Sequence, residues 1–198
     1  MKTKDFESHL PEGAVDFVKE WVGEADLVIK IRNTRKTKLG DYKFLKELNS
    51  HEITVNSGIS PEAFFFVLTH EIAHLLVRVN YPRAVKSHGV EWKNTFRQLL
   101  LESMQIYPEE MRLVIFSHAR NPKASLHADR LLQKGLFQTE DDESKQIENL
   151  AENQKFRLGK RIFEKGKKRK IRYLCKEIQT GKLYTVSGSA IADEIFET

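Results

Sequence analysis

The chain has 198 residues, 40% of them hydrophobic and 31% charged, with a formal net charge of +5. These are ordinary values for a soluble globular protein, and the length suits one domain of about 100 to 150 residues plus an accessory piece. Its single cysteine, Cys175, excludes an internal disulfide and a thiolate metal site within one chain.

The N-terminal stretch MKTKDFESHLPEG lacks the apolar segment of a signal peptide. The longest apolar stretches are interrupted well short of a membrane span. A cytoplasmic protein with no membrane partner is expected.

Residues 11–22 place Val15, Phe17, Val18, Trp21 and Val22 at spacings of three and four, the mark of an amphipathic helix. ADLVIKIRN (25–33) alternates and is β-branched, so it reads as a strand. KLGDYKFL (38–45) carries a turn and a second strand, and HEITVNS (51–57) reads as a third. Ser60-Pro61-Glu62 is a helix start: a capping residue, proline at the first position and an acid in the first turn. That helix should run to about Asn80 and stop before Pro82. VEWKNTFRQLLLES (90–103) repeats helical spacing through Trp92, Phe96, Leu99 and Leu100. Pro108-Glu109-Glu110 opens another helix to about Ala119, and SLHADRLLQKG (125–135) reads as a last one, closed by Gly135.

Composition then shifts. Residues 140–153 hold six acids and one lysine, and read as a solvated linker or short exposed helix. Residues 155–176 hold eleven Lys or Arg against Glu164 alone. There FRLGKRIF, KRKIRYLCKEI and KLYTVS form a small β-unit, the last two joined by Gln179-Thr180-Gly181. The expected division is therefore residues 1–137, an acidic linker 138–154, and a basic β-rich unit 155–198.

The chemistry concentrates between Phe64 and Val77, where only Thr69, His70, Glu71 and His74 among 14 residues are not apolar. A helix apolar nearly all round is a buried helix. His70, Glu71 and His74 fall within an arc of about 100°. Residues four apart have Cβ atoms about 5–6 Å apart, so two imidazoles can converge on one ion. Glu71, one step round, points beside such an ion, where it can take the proton of a water that the metal activates. An apolar setting would raise its pKa toward that task. The competing reading is a pair of hydrogen-bonded core histidines.

A catalytic zinc usually has three protein ligands. Downstream stand His88, Glu91, Glu102, His118 and His127. The metzincin extension would need glycine at 77 and histidine at 80; the chain has Val77 and Asn80. His88 lies 14 residues after His74, beyond a loop broken by Pro82 and just before Gly89. The chain can double back there and present its imidazole, with Trp92 packed beneath. Glu91 is the alternative, as a carboxylate ligand. His118 and His127 lie among polar residues and read as surface or supporting groups; His9 and His51 show no partner spacing.

THEIAH followed by SHGVEW, preceded in order by KLGDY, HEITVN and PEAFFFVL, resembles the SprT-like metalloprotease family over about residues 10–130. The resemblance implies an α+β fold with a zincin-like core. In it a small antiparallel or mixed sheet packs on the HExxH helix and further helices, and a small C-terminal β-unit follows. It implies zinc as cofactor, His70, His74 and His88 as its ligands, and Glu71 as catalytic acid/base. It further implies that the HEITVN strand lies beside the cleft and receives an extended protein or peptide substrate by strand addition.

Some members of the family act on DNA-bound proteins, and many carry a C-terminal zinc ribbon with four cysteines. With Cys175 alone, this chain would keep only a metal-free remnant, held by Ile171, Tyr173, Leu183, Tyr184 and Val186. The basic cluster around Lys165–Arg172, with Phe163, Tyr173 and Tyr184 nearby, suits nucleic-acid backbone and bases. Alternatively it guards a sheet edge, or docks on the acidic 140–152 segment.

The leading functional expectation is a zinc endopeptidase acting on nucleic-acid-associated proteins. The alternative is a non-catalytic, zinc-stabilised protein that binds nucleic acid or the transcription machinery.

Overall fold

The computed structural model describes residues 6–33, 38–81, 85–124, 129–137 and 144–196. The chain divides into two compact units, Met1–Phe137 and Gln138–Thr198. The architecture is α+β, with helices confined largely to the first unit and a second sheet in the other.

The first unit begins with Phe6, fully buried in the core, and helix α1 (Ala14–Val22). Ala14, Val18 and Val22, four apart, form the buried face of α1. Strands β1 (Leu27–Arg32), β2 (Gly40–Leu45) and β3 (Ser50–Asn56) make a mixed sheet in the order β1-β3-β2. β3 runs parallel to β1 and antiparallel to β2. As the central strand it is buried at every residue except Glu52, which is partly exposed. Both its edges are paired, so it cannot accept an added strand; the free edges of this sheet belong to β1 and β2. The expectation that HEITVN receives the substrate is corrected on this ground.

Helix α2 (Pro61–Asn80) crosses the unit and packs on α1, on the sheet and on α3 (Val90–Glu102). Its start follows the sequence signal: the Ser60 hydroxyl accepts from the Ala63 N–H at 3.1 Å, and Pro61 needs no donor there. Every residue from Ala63 to Ala73 is buried. Helix α3 contributes Trp92, Phe96, Leu99 and Leu100 to the same core.

Helix α4 (Glu109–Arg120) follows, then a short α5 (Arg130–Leu132) that widens into a π-helical turn, Gln133–Phe137. Gly135 therefore lies inside a helical turn and does not close it. Leu132 and Leu136, four apart, both reach the core. Residues 125–128, the rest of that expected helix, lie outside the described residues.

The second unit is an antiparallel sheet of β4 (Lys155–Leu158), β5 (Arg161–Arg169), β6 (Arg172–Glu177), β7 (Leu183–Ser187) and β8 (Glu194–Phe196), in the order β7-β6-β5-β4-β8. The last strand thus returns to pair with the first. Lys168–Lys170, read as the start of a strand, instead form the end of β5 and the turn, with Lys170 left-handed at φ 54°. β5 is irregular between Lys165 and Lys168. A Cβ on Gly166 would strike the Leu174 carbonyl oxygen, so only glycine fits that close approach.

The acidic stretch is not simply a solvated linker. Its described part carries Ile147 and Leu150 into the second core, beside Phe156, Phe163, Tyr173 and Cys175, and Gln146 bridges to Ile191. Lys165 ties it down. Only 5% exposed, its ammonium donates to the carbonyls of Glu148 (3.1 Å) and Leu150, and lies 4.4 Å from the centroid of the Tyr173 ring. Of the residues expected to hold this unit, Tyr173 is buried and Tyr184 and Val186 pack against the core, whereas Ile171 and Leu183 are exposed. Residues 138–143 lie outside the described residues. No helix among the described residues is long and apolar enough to cross a membrane.

Two substitutions separate packing from capping in α2. Leu68→Ala should lower the unfolding free energy by about 2–5 kcal/mol, and Ser60→Ala by about 1 kcal/mol, in urea titrations. Equal losses would mean that the cap does more than hold one N–H.

Candidate metal centre

Helical spacing puts His70 and His74 one turn apart on α2, and the chain returning through Gly89 brings His88 over them. The Nε2 atoms of His74 and His88 stand 3.1 Å apart, and those of His88 and His70 stand 3.4 Å apart. One ring nitrogen from each of the three lies within 4.8 Å of the others. Ligands about 2.0–2.1 Å from one tetrahedral ion stand about 3.3–3.4 Å from each other, so the set fits zinc.

Trp92 is the floor of this cluster. It is fully buried, with ring centroids 4.6 Å from His70, 4.6 Å from His88 and 5.4 Å from His74. Its Nε1–H donates to the His70 carbonyl at 3.4 Å, tying α3 to α2 beneath the ligands. Phe96, one turn along α3, also packs edge-on against His70, with centroids 5.3 Å apart. This pair of adjoining rings from α3 fixes the imidazole where it can bind an ion.

The rings are held neutral. Burial, reinforced by its histidine neighbours, pushes His70 well below the ordinary imidazole value. Burial and His88 lower His74 to about 4, against the opposing pull of Asp41. Burial also lowers His88. Three neutral imidazoles converging on one point cannot all be satisfied by protons shared among themselves. A cation accepting three lone pairs satisfies them all.

Glu71, 7% exposed, follows His70 on α2 and lies outside the group of converging nitrogens. Strand β2 forms its wall. A Cβ on Gly40 would lie 2.6 Å from Glu71 Oε1 and 2.7 Å from Val67 Cγ1, so any side chain at position 40 would displace Glu71 and Val67. Two residues on, the Tyr42 ring stacks over His74 at 6.2 Å, and its hydroxyl meets His51 Nδ1 at 2.9 Å. Burial, opposed by Arg78, pushes the Tyr42 phenol up to about 12. Two residues further, the Arg78 guanidinium lies over Phe44, 4.5 Å from its centroid. Sequence reasoning missed Gly40 and Tyr42 as neighbours of the site; the glycine in KLGDY, read only as a turn, was the available signal.

The remaining candidates go elsewhere. Glu91 is not in the cluster; its carboxylate lies near Gly89, where an added Cβ would come within 3.0 Å of Oε2. Glu102 accepts from Trp21 Nε1 at 3.1 Å. His51 pairs with Tyr42, and His9 stacks on Phe64 at 5.3 Å. His118 is not a surface group: it is 1% exposed and bonds Asp129 through Nδ1 at 2.9 Å. His127 lies outside the described residues.

A family model, that of the SprT-like family, matches residues 11–109, half of the chain. It spans α1, the three-stranded sheet, α2 and α3, and ends at the first residue of α4. No curated protein matches the chain, and no solved structure matches it.

The depressed imidazoles make metal-free stability depend on pH with a definite sign. The unfolded chain takes up protons near the ordinary value of 6.5, while folded His74 does so only near 4. Stability held above about pH 6.5 is therefore lost as pH falls toward 4. Thermal melts of zinc-free protein should show this loss. Saturating zinc, by occupying the lone pairs, should shift it to lower pH.

Proposed function

The chain belongs to the SprT-like family, and on that premise we propose that it is a zinc-dependent endopeptidase. The observation that carries the reading is the convergence of three neutral imidazoles with a buried carboxylate alongside. His70, His74 and His88 would hold the ion within a zincin-like core. When bound, zinc supplies Lewis acidity, polarising a scissile carbonyl and making a water acidic enough to attack at neutral pH.

Glu71 takes the proton of the attacking water and later gives it to the leaving amine. Its burial keeps bulk water from competing, and the bare backbone at Gly40 leaves its carboxylate room beside the ligands. The outer edge of β2 is the reading's route for substrate: an extended peptide adding there would run along the same wall. A structural zinc normally takes four protein ligands. Among the described residues the ligating cluster holds three, which supports a catalytic role over a purely stabilising one.

The proposal extends to proteins associated with nucleic acid. Its support is the basic run of residues 155–176 within the second unit, eleven Lys or Arg against Glu164 alone. At the irregularity in β5, a cleft of about 360 Å³ is lined by Lys167, Lys168, Arg169 and Lys176 against the one acid Glu164, with Gly166 at its wall. Lysine and arginine in such a strip bind phosphate backbones by displacing counterions. Deleting 140–152 would not test this cleanly, because it removes Ile147 and Leu150 from the core of that unit.

Glu71→Gln should retain stoichiometric zinc while cleavage of an unfolded protein substrate falls by at least about 10²–10⁴-fold. His88→Ala should lose the zinc. Cleavage surviving in the Glu71 variant would refute the assignment.

Replacing Lys167, Lys168 and Arg169 together with alanine should weaken duplex DNA binding and flatten its salt dependence. The slope of log affinity against log salt should fall by about one for each lost phosphate contact. Unchanged affinity would take nucleic acid out of the proposal.

A further inference from the structure

Among the described residues, two buried side-chain nitrogens of the first unit find no hydrogen-bond partner: His70 Nδ1 and His118 Nε2. Their chemistry is complementary. His70 aims Nε2 at the other ligands, so a metal taking that lone pair leaves the proton on Nδ1, a donor. His118 has Nδ1 against the Asp129 carboxylate at 2.9 Å, so that nitrogen carries the proton and Nε2 is left as an acceptor. One buried donor and one buried acceptor are thus each missing a partner.

Both rings belong to the same aromatic cage. Phe96 packs on His70 at 5.3 Å and on His118 at 6.0 Å, and Phe66 meets His118 edge-on at 5.5 Å. A proton on His118 would be felt at His70. Buried polar groups in this condition are commonly joined by an internal water.

We infer that His118 is a positioning residue for His70: held by Asp129, its Nε2 receives the Nδ1–H of the metal-ligating ring through one bridging water. The chain of contacts then runs from carboxylate to imidazole to water to imidazole to metal. It is a longer form of the carboxylate–histidine pairing that fixes ligand tautomers.

Asp129 is well set for the task. Burial works against its ionised form, but hydrogen bonds from His118 and from the Leu132 N–H hold its carboxyl below the ordinary value. Burial keeps the His118 ring below its own ordinary value, against the pull of Asp129, so its outer nitrogen retains a lone pair. His118 and Asp129 both lie outside residues 11–109, the span matched by the family model.

The inference rests on the zinc reading, and its test separates the two. Long-range ¹H–¹⁵N spectra of the metal-free full chain should show His118 protonated on Nδ1 alone. Competition with a chromophoric chelator then gives zinc affinity. His118→Phe, which keeps a ring of similar size but offers no acceptor, should weaken zinc by about 10–100-fold. His118→Gln, with an acceptor oxygen, should restore most of it. A role in packing alone predicts the opposite order, with Phe the better replacement.

Asp129→Asn keeps an oxygen for the Leu132 N–H but presents an amide donor to His118. It should move the His118 proton to Nε2 and weaken zinc in the same direction; this variant decides the matter if His118→Phe does not fold. A folded His118→Phe protein that binds zinc as tightly as the wild type would overturn the inference, as would a wild-type His118 protonated on Nε2. A wild-type chain that binds no zinc at all would instead remove the metal reading on which it stands.

Discussion

The structure depends on keeping three imidazoles uncharged inside an apolar helix bundle. Burial alone disfavours the protonated rings, and their mutual repulsion adds to it. Trp92 and Phe96 then make the arrangement rigid, because they fill the space into which the rings would otherwise turn apart. Without α3 behind it, α2 would have to expose this polar arc or hydrate it. The site and the core are thus one object: the aromatic residues that stabilise the first unit also aim the ligands.

The two sides of that site are built differently. Behind it lies a floor of large rings, supplied by α3 and buried from bulk solvent. On the Glu71 side lies β2, whose residues are mostly only partly buried and which leaves a free outer edge. On the proposed reading, a carboxylate that exchanges protons needs some route to solvent, whereas imidazoles that stay neutral need a floor buried from bulk solvent. Placing a buried helix on one side and an edge strand on the other meets both needs.

Much of this was legible in the sequence, for local reasons. Ser60-Pro61 marks the start of α2 unaided, and an apolar run interrupted by His70, Glu71 and His74 announces a buried polar arc. Gly89 and the following Trp92 made the return of His88 readable. What depends on distant segments was not. Nothing local says that β3 is central and β2 is at the edge, because strand order is decided by pairing across the fold. His118 could be read only as a surface or supporting group because its sequence neighbours are polar, while the rings that enclose it, Phe66 and Phe96, come from other helices. In 140–153 the density of acids concealed Ile147 and Leu150, three apart. In β5 a run of lysines hid both the irregularity at Gly166 and the turn at Lys170.

The pairing of β2 with α2 couples strand alignment to chemistry. Gly40, Tyr42 and Phe44 meet successive turns of the helix at Glu71, His74 and Arg78. Alternation along a strand means that a slip of one position exchanges its two faces. Asp41 would then meet Glu71, setting like charges together where the bare glycine had stood, and Lys43 would replace the phenol over His74. Misaligned β2 is therefore penalised twice, by crowding and by charge, so the carboxylate and the ligands act as a gauge that admits one threading of this edge.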